Sequence, residues 1–401
     1  RIVRRPGATA LRWALREDGW ADSSLLTGNW QQAADRLRAA RYATQWRPMK
    51  IVRVVEESQS IRSLHLEPVD GAGLLPHLAG QHLPIRLQLG ADEKPLIRTY
   101  TLSVAPSDGL YRISVKREGR VSQFIHDQLR EGDLIEARAP AGAFVLDAQQ
   151  ERPLVLLAGG IGITPLLAML RHVVYEGWRQ QRIRPVTLFY AARSKAERAF
   201  DGELADLLAA AQGAIRLVRV LSDTSGAEPG VDYDTAGRID MALLTRYLAF
   251  DDYAFYLCGP AAFTQGLYDG LRGYNIADGR IHAEGFGPAS LVRRPDQPVV
   301  AAVPLPPATE PVAVLFTESL KEGRWAPGSG SLLELAEARG LEPQFSCREG
   351  SCGTCKTRLV KGAVSYLKEP SAPHGDDEVL ICCAVPAHPQ NTDYQRLELA
   401  L

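Results

Sequence analysis

The stretch Cys347-Arg348-Glu349-Gly350-Ser351-Cys352-Gly353-Thr354-Cys355 spaces three thiols as C-x4-C-x2-C, and Cys382 and Cys383 follow further on. Thiolates at that spacing, completed by a distant fourth cysteine, hold a two-iron, two-sulfide cluster. The small residues between them have a physical use. A backbone that wraps a cluster and donates N–H groups to its sulfurs needs φ > 0 turns, which Gly350 and Gly353 permit. A structural zinc site usually pairs two C-x2-C knuckles, and a second knuckle is missing. A disulfide framework belongs to short secreted chains, whereas this chain has 401 residues and six cysteines, all but Cys258 in this one region. The iron–sulfur reading therefore leads, and cysteines committed to a cluster predict a reducing cytoplasm.

Two further stretches suit nucleotides. In Arg98-Thr99-Tyr100-Thr101-Leu102-Ser103, a strand would put Arg98 and Tyr100 on one face, a cation beside an aromatic ring. A flavin nucleotide needs that pair, a guanidinium for its pyrophosphate and a ring against its isoalloxazine. From Lys116 the chain then runs through a Gly119–Ser122 turn into a helix, a ready anion site. Leu154-Val155-Leu156-Leu157-Ala158 is a continuous apolar strand, as a parallel sheet buried on both faces requires. It leads into Gly159-Gly160-Ile161-Gly162-Ile163-Thr164-Pro165. Thr164 as N-cap and Pro165 as first helical residue would leave free N–H groups above the strand end, ahead of a helix over Leu166–Tyr175.

These residues need several scaffolds. The length implies three domains of roughly 100–150 residues. Hydrophobic residues make up 45% and charged residues 23%, as in a globular protein, and 46 Lys plus Arg balance 47 Asp plus Glu. That balance gives no sign of a nucleic-acid or membrane surface, and no apolar run approaches a membrane span. Residues 1–47 are Arg- and Ala-rich, with a helix expected over Trp30–Ala40 behind Asn29. Because the chain starts with Arg, two expectations stand for this segment: the tail of an upstream domain, or a packing extension. From Met49 short alternating strands (Ile51–Val55, Ser63–Leu66, Leu83–Leu87, Tyr111–Val115) predict a small antiparallel barrel ending near Leu146. Strands at Val186–Tyr190, Ile215–Leu221 and Tyr253–Leu257 continue the α/β pattern after Leu154. A Pro-rich linker over 291–308 follows, then a strand at Val312–Phe316 and a helix with a Ser331/Glu334 capping box, stopped by Gly340.

Over residues 49–290 these motifs resemble the ferredoxin–NADP reductase superfamily, an FAD barrel followed by a nicotinamide domain. The family's R-x-Y-[ST] motif falls on Arg98, Tyr100 and Thr101, with Ser103 and Lys116 grouped beside it as cofactor residues. Thr101 keeps the hydroxyl that reaches the flavin N5 region. The second flavin-phosphate turn falls on Gly119, Val121 and Ser122. Gly80-Gln81-His82 matches a structural glycine-glutamine-aromatic turn, with His82 in place of Phe or Tyr. The G-G-x-G-x-T-P motif falls on Gly160, Gly162, Thr164 and Pro165, and the second nicotinamide signature on Cys258-Gly259-Pro260. By this resemblance Cys258 lies beside the nicotinamide and is catalytic together with Thr101; the plain alternative is a buried, inert cysteine. Arg193 and Asp223 stand where the family reads the ribose 2′ position. An acid there favours NADH, with NADPH second. His282–Pro288 resembles the end of relatives with a fused ferredoxin, which places Phe286 close to the isoalloxazine. Ala139–Phe144 looks like FAD-type relatives, so FMN, as in phthalate-dioxygenase-reductase-like proteins, comes second.

Residues 310–401 resemble plant-type ferredoxins. Leu380-Ile381-Cys382-Cys383-Ala384-Val385-Pro386 matches their leucine-x-cysteine-x-alanine-x-proline ending, which makes Cys382 the fourth metal ligand with Cys347, Cys352 and Cys355. Cys383 is then an ordinary small buried residue. The expected architecture is multidomain: an N-terminal extension (1–47), an antiparallel β-barrel flavin domain (48–150), an α/β parallel-sheet nicotinamide domain (151–290), a linker (291–308) and an α+β β-grasp ferredoxin domain (309–401).

Three redox carriers in one chain imply an adaptor between two-electron and one-electron chemistry. The expectation is an NAD(P)H-dependent reductase that reduces FAD, then its own 2Fe-2S cluster, then a separate protein acceptor. By resemblance that acceptor is a terminal oxygenase, hydroxylase or demethylase component, as with phenylacetyl-CoA and vanillate oxygenase reductases. A redox-responsive binding module and the reductase half of a larger fused enzyme are the competing readings. The eight His are scattered, and no Ser–His–Asp grouping or paired carboxylate demands explanation.

Overall fold

The computed structural model describes residues 45–401 apart from 72, 91–94, 148–149, 287–290, 295, 297–304, 346–347, 349, 351–352, 371, 373 and 389–395. The expected helix at Trp30–Ala40, half of the linker, Cys347 and Cys352 lie outside the described residues.

The first unit consists of β1 (Arg47–Glu56), β2 (Ile61–Pro68), β3 (His82–Leu87), β4 (Leu96–Thr101), β5 (Tyr111–Lys116), α1 (Arg120–Asp127) and β6 (Leu134–Ala137). Its sheet runs β4-β3-β6-β1-β2-β5 with every pairing antiparallel. A bridge between Leu102 and Ile113 joins its two ends into a barrel. Period-2 alternation turns Met49, Ile51, Leu64, Leu66, Leu83, Ile85, Ile113 and Val115 into one core. α1 covers the barrel with Val121 and Ile125 buried.

The second unit consists of β7 (Leu154–Gly159), α2 (Ile163–Arg179), β8 (Val186–Ala192), α3 (Asp201–Ala210), β9 (Ile215–Leu221), β10 (Thr235–Ala236), α4 (Met241–Tyr247), β11 (Ala254–Pro260), α5 (Ala261–Gly273) and β12 (Ile281–Phe286). All strands are parallel, in the order β10-β9-β8-β7-β11-β12. Successive residues of β7 feed opposite cores: Leu154, Leu156 and Ala158 one face, Val155 and Leu157 the other. That is why the strand reads as an unbroken apolar run. The strand order reverses between β7 and β11, so their C-terminal ends flank the crevice where open α/β sheets bind ligands.

The third unit consists of β13 (Val312–Phe316), β14 (Lys321–Trp325), α6 (Leu332–Ala338), β15 (Lys356–Lys361), β16 (Val364–Tyr366), β17 (Glu378–Leu380), β18 (Ala384–Pro386) and β19 (Arg396–Leu399). Five strands order as β14-β13-β19-β15-β17, and β16 pairs with β18. The Ser331–Glu334 capping box opens α6, as the sequence predicted. This unit meets the barrel through Arg138, which donates to Glu342 Oε2 at 2.9 Å. Trp46 lies between the guanidinium groups of Arg86 and Arg138, 4.7 and 4.6 Å from its ring centre. Among the described residues, no helix is long and apolar enough to cross a membrane.

Candidate active site

β4 presents Arg98 exposed and Tyr100 half-buried on one face, while Thr101 turns inward opposite His82. Arg98 donates only to the neighbouring Ile97 carbonyl at 2.8 Å, and among the described residues it has no carboxylate partner. Neither the Tyr100 nor the Thr101 hydroxyl has a protein hydrogen-bond partner among the described residues. Burial pushes the Tyr100 phenol up to about 12, so it stays a neutral donor. A free guanidinium and two free hydroxyls at one strand end fit the diphosphate and ring of a flavin nucleotide.

α1 starts at an extended Gly119 whose surroundings are open. The Ser122 hydroxyl accepts from the Glu118 and Gly119 N–H groups, both at 2.9 Å, so its lone pairs hold the turn itself. Lys116 pairs with Glu118 at 2.5 Å. Ser103 departs from the expectation that it faces the cofactor. It is fully buried, its hydroxyl 2.8 Å from that of Ser114 and accepting from Arg112 Nε at 2.9 Å. Arg112, which the sequence marks only as a residue of an alternating strand, is itself buried.

At the switch point the glycines of β7 and β11 meet. A Cβ on Gly162 would lie 2.1 Å from the Cys258 carbonyl oxygen, and one on Gly259 3.1 Å from the Gly159 Cα. Gly160, at φ +56°, faces open space. The backbone above the β7 end is thus bare, a cradle that side chains would fill, and the α2 N-terminus opens onto it. The helix begins two residues earlier than expected. A tight turn over Gly160–Gly162 delivers the chain to Ile163, and Gly162 is the N-cap. Thr164 is therefore already helical, and its hydroxyl donates to the Ile161 carbonyl at 3.0 Å. Pro165, also in the first turn, has no N–H to leave unpaired.

Cys258 is fully buried between Ala158 on β7 and Glu284 on β12. Burial, with Glu284 adding to it, holds its thiol well above the ordinary cysteine range. Pro260 pairs with Phe286, which packs on the same core as Cys258. At the ends of β8 and β9, the Asp223 N–H donates to the Arg193 carbonyl at 2.7 Å, so these two exposed residues stand together. The Ser225 hydrogen bonds hold the Asp223 carboxyl below its usual range, and Arg193 adds to the effect.

In the third unit Cys355, Cys382 and Cys383 are buried in one core. The Gly350 N–H donates to Cys382 Sγ at 3.2 Å, and Gly350 and Gly353 both take φ +73°. Cys383 Sγ instead donates to the Leu380 carbonyl at 3.4 Å. A loop of left-handed residues that aims an N–H at a buried sulfur fits an iron–sulfur cluster better than a bare core. An ideal Cβ on Gly353 would be 4.0 Å from Ala143 Cβ, so this loop lies close to the barrel segment following β6.

The family model for the oxidoreductase FAD-binding domain matches residues 48–146, that for the oxidoreductase NAD-binding domain 156–268, and that for the 2Fe-2S iron-sulfur cluster binding domain 322–387. A flavohemoprotein of Oceanobacillus iheyensis is 36% identical over 257 residues, 63% of this chain and 61% of its own length. The chain thus spans about three fifths of the curated relatives it matches. The FAD/NAD-binding domain of a Vibrio cholerae nitric oxide dioxygenase is 32% identical, covering 60% of this chain and 99% of its own at a TM-score of 0.53. Phthalate dioxygenase reductase, a modular structure for electron transfer from pyridine nucleotides to [2Fe-2S], is 25% identical. It covers 89% of this chain and 98% of its own at a TM-score of 0.53. The chain belongs to the ferredoxin–NADP reductase superfamily and carries oxidoreductase FAD-binding and NAD-binding domains followed by a C-terminal 2Fe-2S iron-sulfur cluster binding domain.

Proposed function

We propose that the protein takes electrons from NADH, through FAD and its own 2Fe-2S cluster, to a separate protein acceptor of the terminal oxygenase, hydroxylase or demethylase kind. The observation that carries this reading is the approach of the Gly353 loop to Ala143, which sets the cluster-binding segment against the flavin barrel. When bound, a flavin exchanges electron pairs with a nicotinamide and single electrons with an iron–sulfur cluster. The chain's own residues supply placement. Arg98 and the α1 N-terminus would bind the flavin phosphates, and Tyr100 would lie against its ring. Thr101 would donate toward the N5 edge. Gly160 leaves room for the nicotinamide dinucleotide's phosphates over α2, Gly162 lets the helix start close on β11, and Asp223 would accept from a free ribose 2′-hydroxyl. Cys347, Cys352, Cys355 and Cys382 would hold the cluster.

The test separates the carriers. Cys382→Ser loses iron and acid-labile sulfide while NADH still bleaches the flavin, whereas Cys383→Ser keeps both. Loss of the cluster in Cys383→Ser alone would reverse the ligand assignment. A cluster-free protein that no longer reduces its flavin would undo the modular reading. A second reading, the reductase part of a longer fused enzyme, draws on the flavohemoproteins, which carry the matching segment inside a longer chain. The mass of the protein isolated from its source decides between them.

A further inference from the structure

A chain of four alternating charges, Arg112–Glu203–Arg171–Asp108, lies where the barrel meets the nicotinamide domain. Arg112 of β5 donates to both oxygens of Glu203 on α3, at 2.7 and 3.2 Å. Glu203 Oε1 also accepts from Arg171 of α2 at 2.5 Å. Arg171 in turn forks onto both oxygens of Asp108, in the barrel loop before β5, at 2.9 and 2.6 Å. The two ends, Arg112 and Asp108, belong to the barrel and grip the middle pair, Glu203 and Arg171, on two helices of the other domain. The four side chains are only 8–19% exposed.

Phe200 completes the seat. It takes φ +65° at the N-terminus of α3, a left-handed conformation that is strained for a non-glycine residue. The Arg112 guanidinium lies 5.2 Å from its ring centre. On its other side Arg112 donates to both Ser103 Oγ and the Ser103 carbonyl, two residues beyond Thr101. One guanidinium thereby joins the end of the strand bearing Arg98, Tyr100 and Thr101 to α3. Through Glu203 and Arg171 the same chain of contacts reaches α2, the helix that opens at the glycine turn.

We propose that this charge chain fixes the register of the nicotinamide domain on the flavin barrel, with Arg112 as the positioning residue for hydride transfer. Apolar surfaces can slide over one another, whereas forked ion pairs at hydrogen-bond distance admit one alignment. Buried ion pairs often add little net stability, so registry is their more natural use. Hydride transfer is sensitive to such registry, since an error near 1 Å can cost about a hundredfold in rate. The inference rests on the assignment of Arg98, Tyr100 and Thr101 to the flavin.

The test uses the full chain with its cofactors. Arg112→Lys keeps the charge and loses the fork. It should retain FAD and bind NADH within about threefold of wild type, while the limiting rate of flavin reduction falls at least about tenfold. The long-wavelength absorbance of the NAD⁺ complex should weaken, and amide exchange should rise along Ser103–Arg112 and at the start of α3. Arg112→Met with Glu203→Met should recover the melting temperature without recovering the rate. A lowered melting temperature with an unchanged limiting rate would make the charge chain a plain stabiliser and overturn the proposal, as would loss of FAD from Arg112→Lys. A wild-type protein that NADH cannot reduce would instead remove the flavin assignment beneath it.

Discussion

Gly160 and Gly162 occupy one turn yet resist substitution for different reasons, and the contrast gives a quantitative test. Gly162→Ala would place a Cβ 2.1 Å from the Cys258 carbonyl oxygen, 2.4 Å from its carbon and 2.7 Å from the Gly259 nitrogen. Non-bonded heavy atoms settle near about 3.5 Å, so α2 and β11 must part by more than about 1 Å. Neither is free to yield. β11 is paired on both sides, and α2 is packed along its length with Ile163, Leu166, Leu167 and Leu170 fully buried. The cost should reach or exceed about 3 kcal/mol, the upper end for overpacking. At about 2–4 °C per kcal/mol for a unit of this size, the melting temperature falls by roughly 10 °C. Gly160→Ala meets no atom within 4 Å and carries only the left-handed strain of φ +56°. That is about 1 kcal/mol, or roughly 3 °C. Its methyl group does enter the open space above β7, so nicotinamide affinity should suffer more than stability. Thermal unfolding and NADH titration of both variants make the measurement. A Gly162→Ala protein melting within about 2 °C of wild type would refute the close approach at Cys258.

Two other expectations are independent of that turn. Asp223→Arg sets a second cation beside Arg193. It should raise the NADPH to NADH ratio of kcat/KM by about tenfold or more, and an unchanged ratio in steady-state assays places the ribose elsewhere. His82 is fully buried with Nε2 unpartnered, and burial pushes its pKa down to about 4. The unfolded chain takes up this proton near pH 6.5 and the folded chain only near pH 4. Stability is therefore whole above pH 6.5, falls as pH drops through that window, and levels off below it, by up to about 3 kcal/mol. His82→Phe should be at least as stable at pH 7 and lose less between pH 7 and 5 in urea unfolding; an equal loss in both proteins removes His82 as the source.

Features with a short-range cause are legible in the order of residues. The C-x4-C-x2-C run, the glycine turn after an apolar strand, the alternating strands from Ile51 and the Ser331–Glu334 cap each have a short-range cause, and the elements follow them. The sequence places the start of α2 two residues late, because Thr164 and Pro165 look like an N-cap and first helical residue, whereas the three-residue turn ahead of Ile163 has no sequence sign of its own. The roles of Ser103 and Arg112 emerge once the domains are packed together. Ser103 reads as a cofactor residue and Arg112 as an ordinary alternating strand residue, whereas Arg112 joins Ser103 to Glu203 of another domain. Charge pairing across a domain seam depends on where whole sheets and helices settle, and no residue spacing along one strand records it.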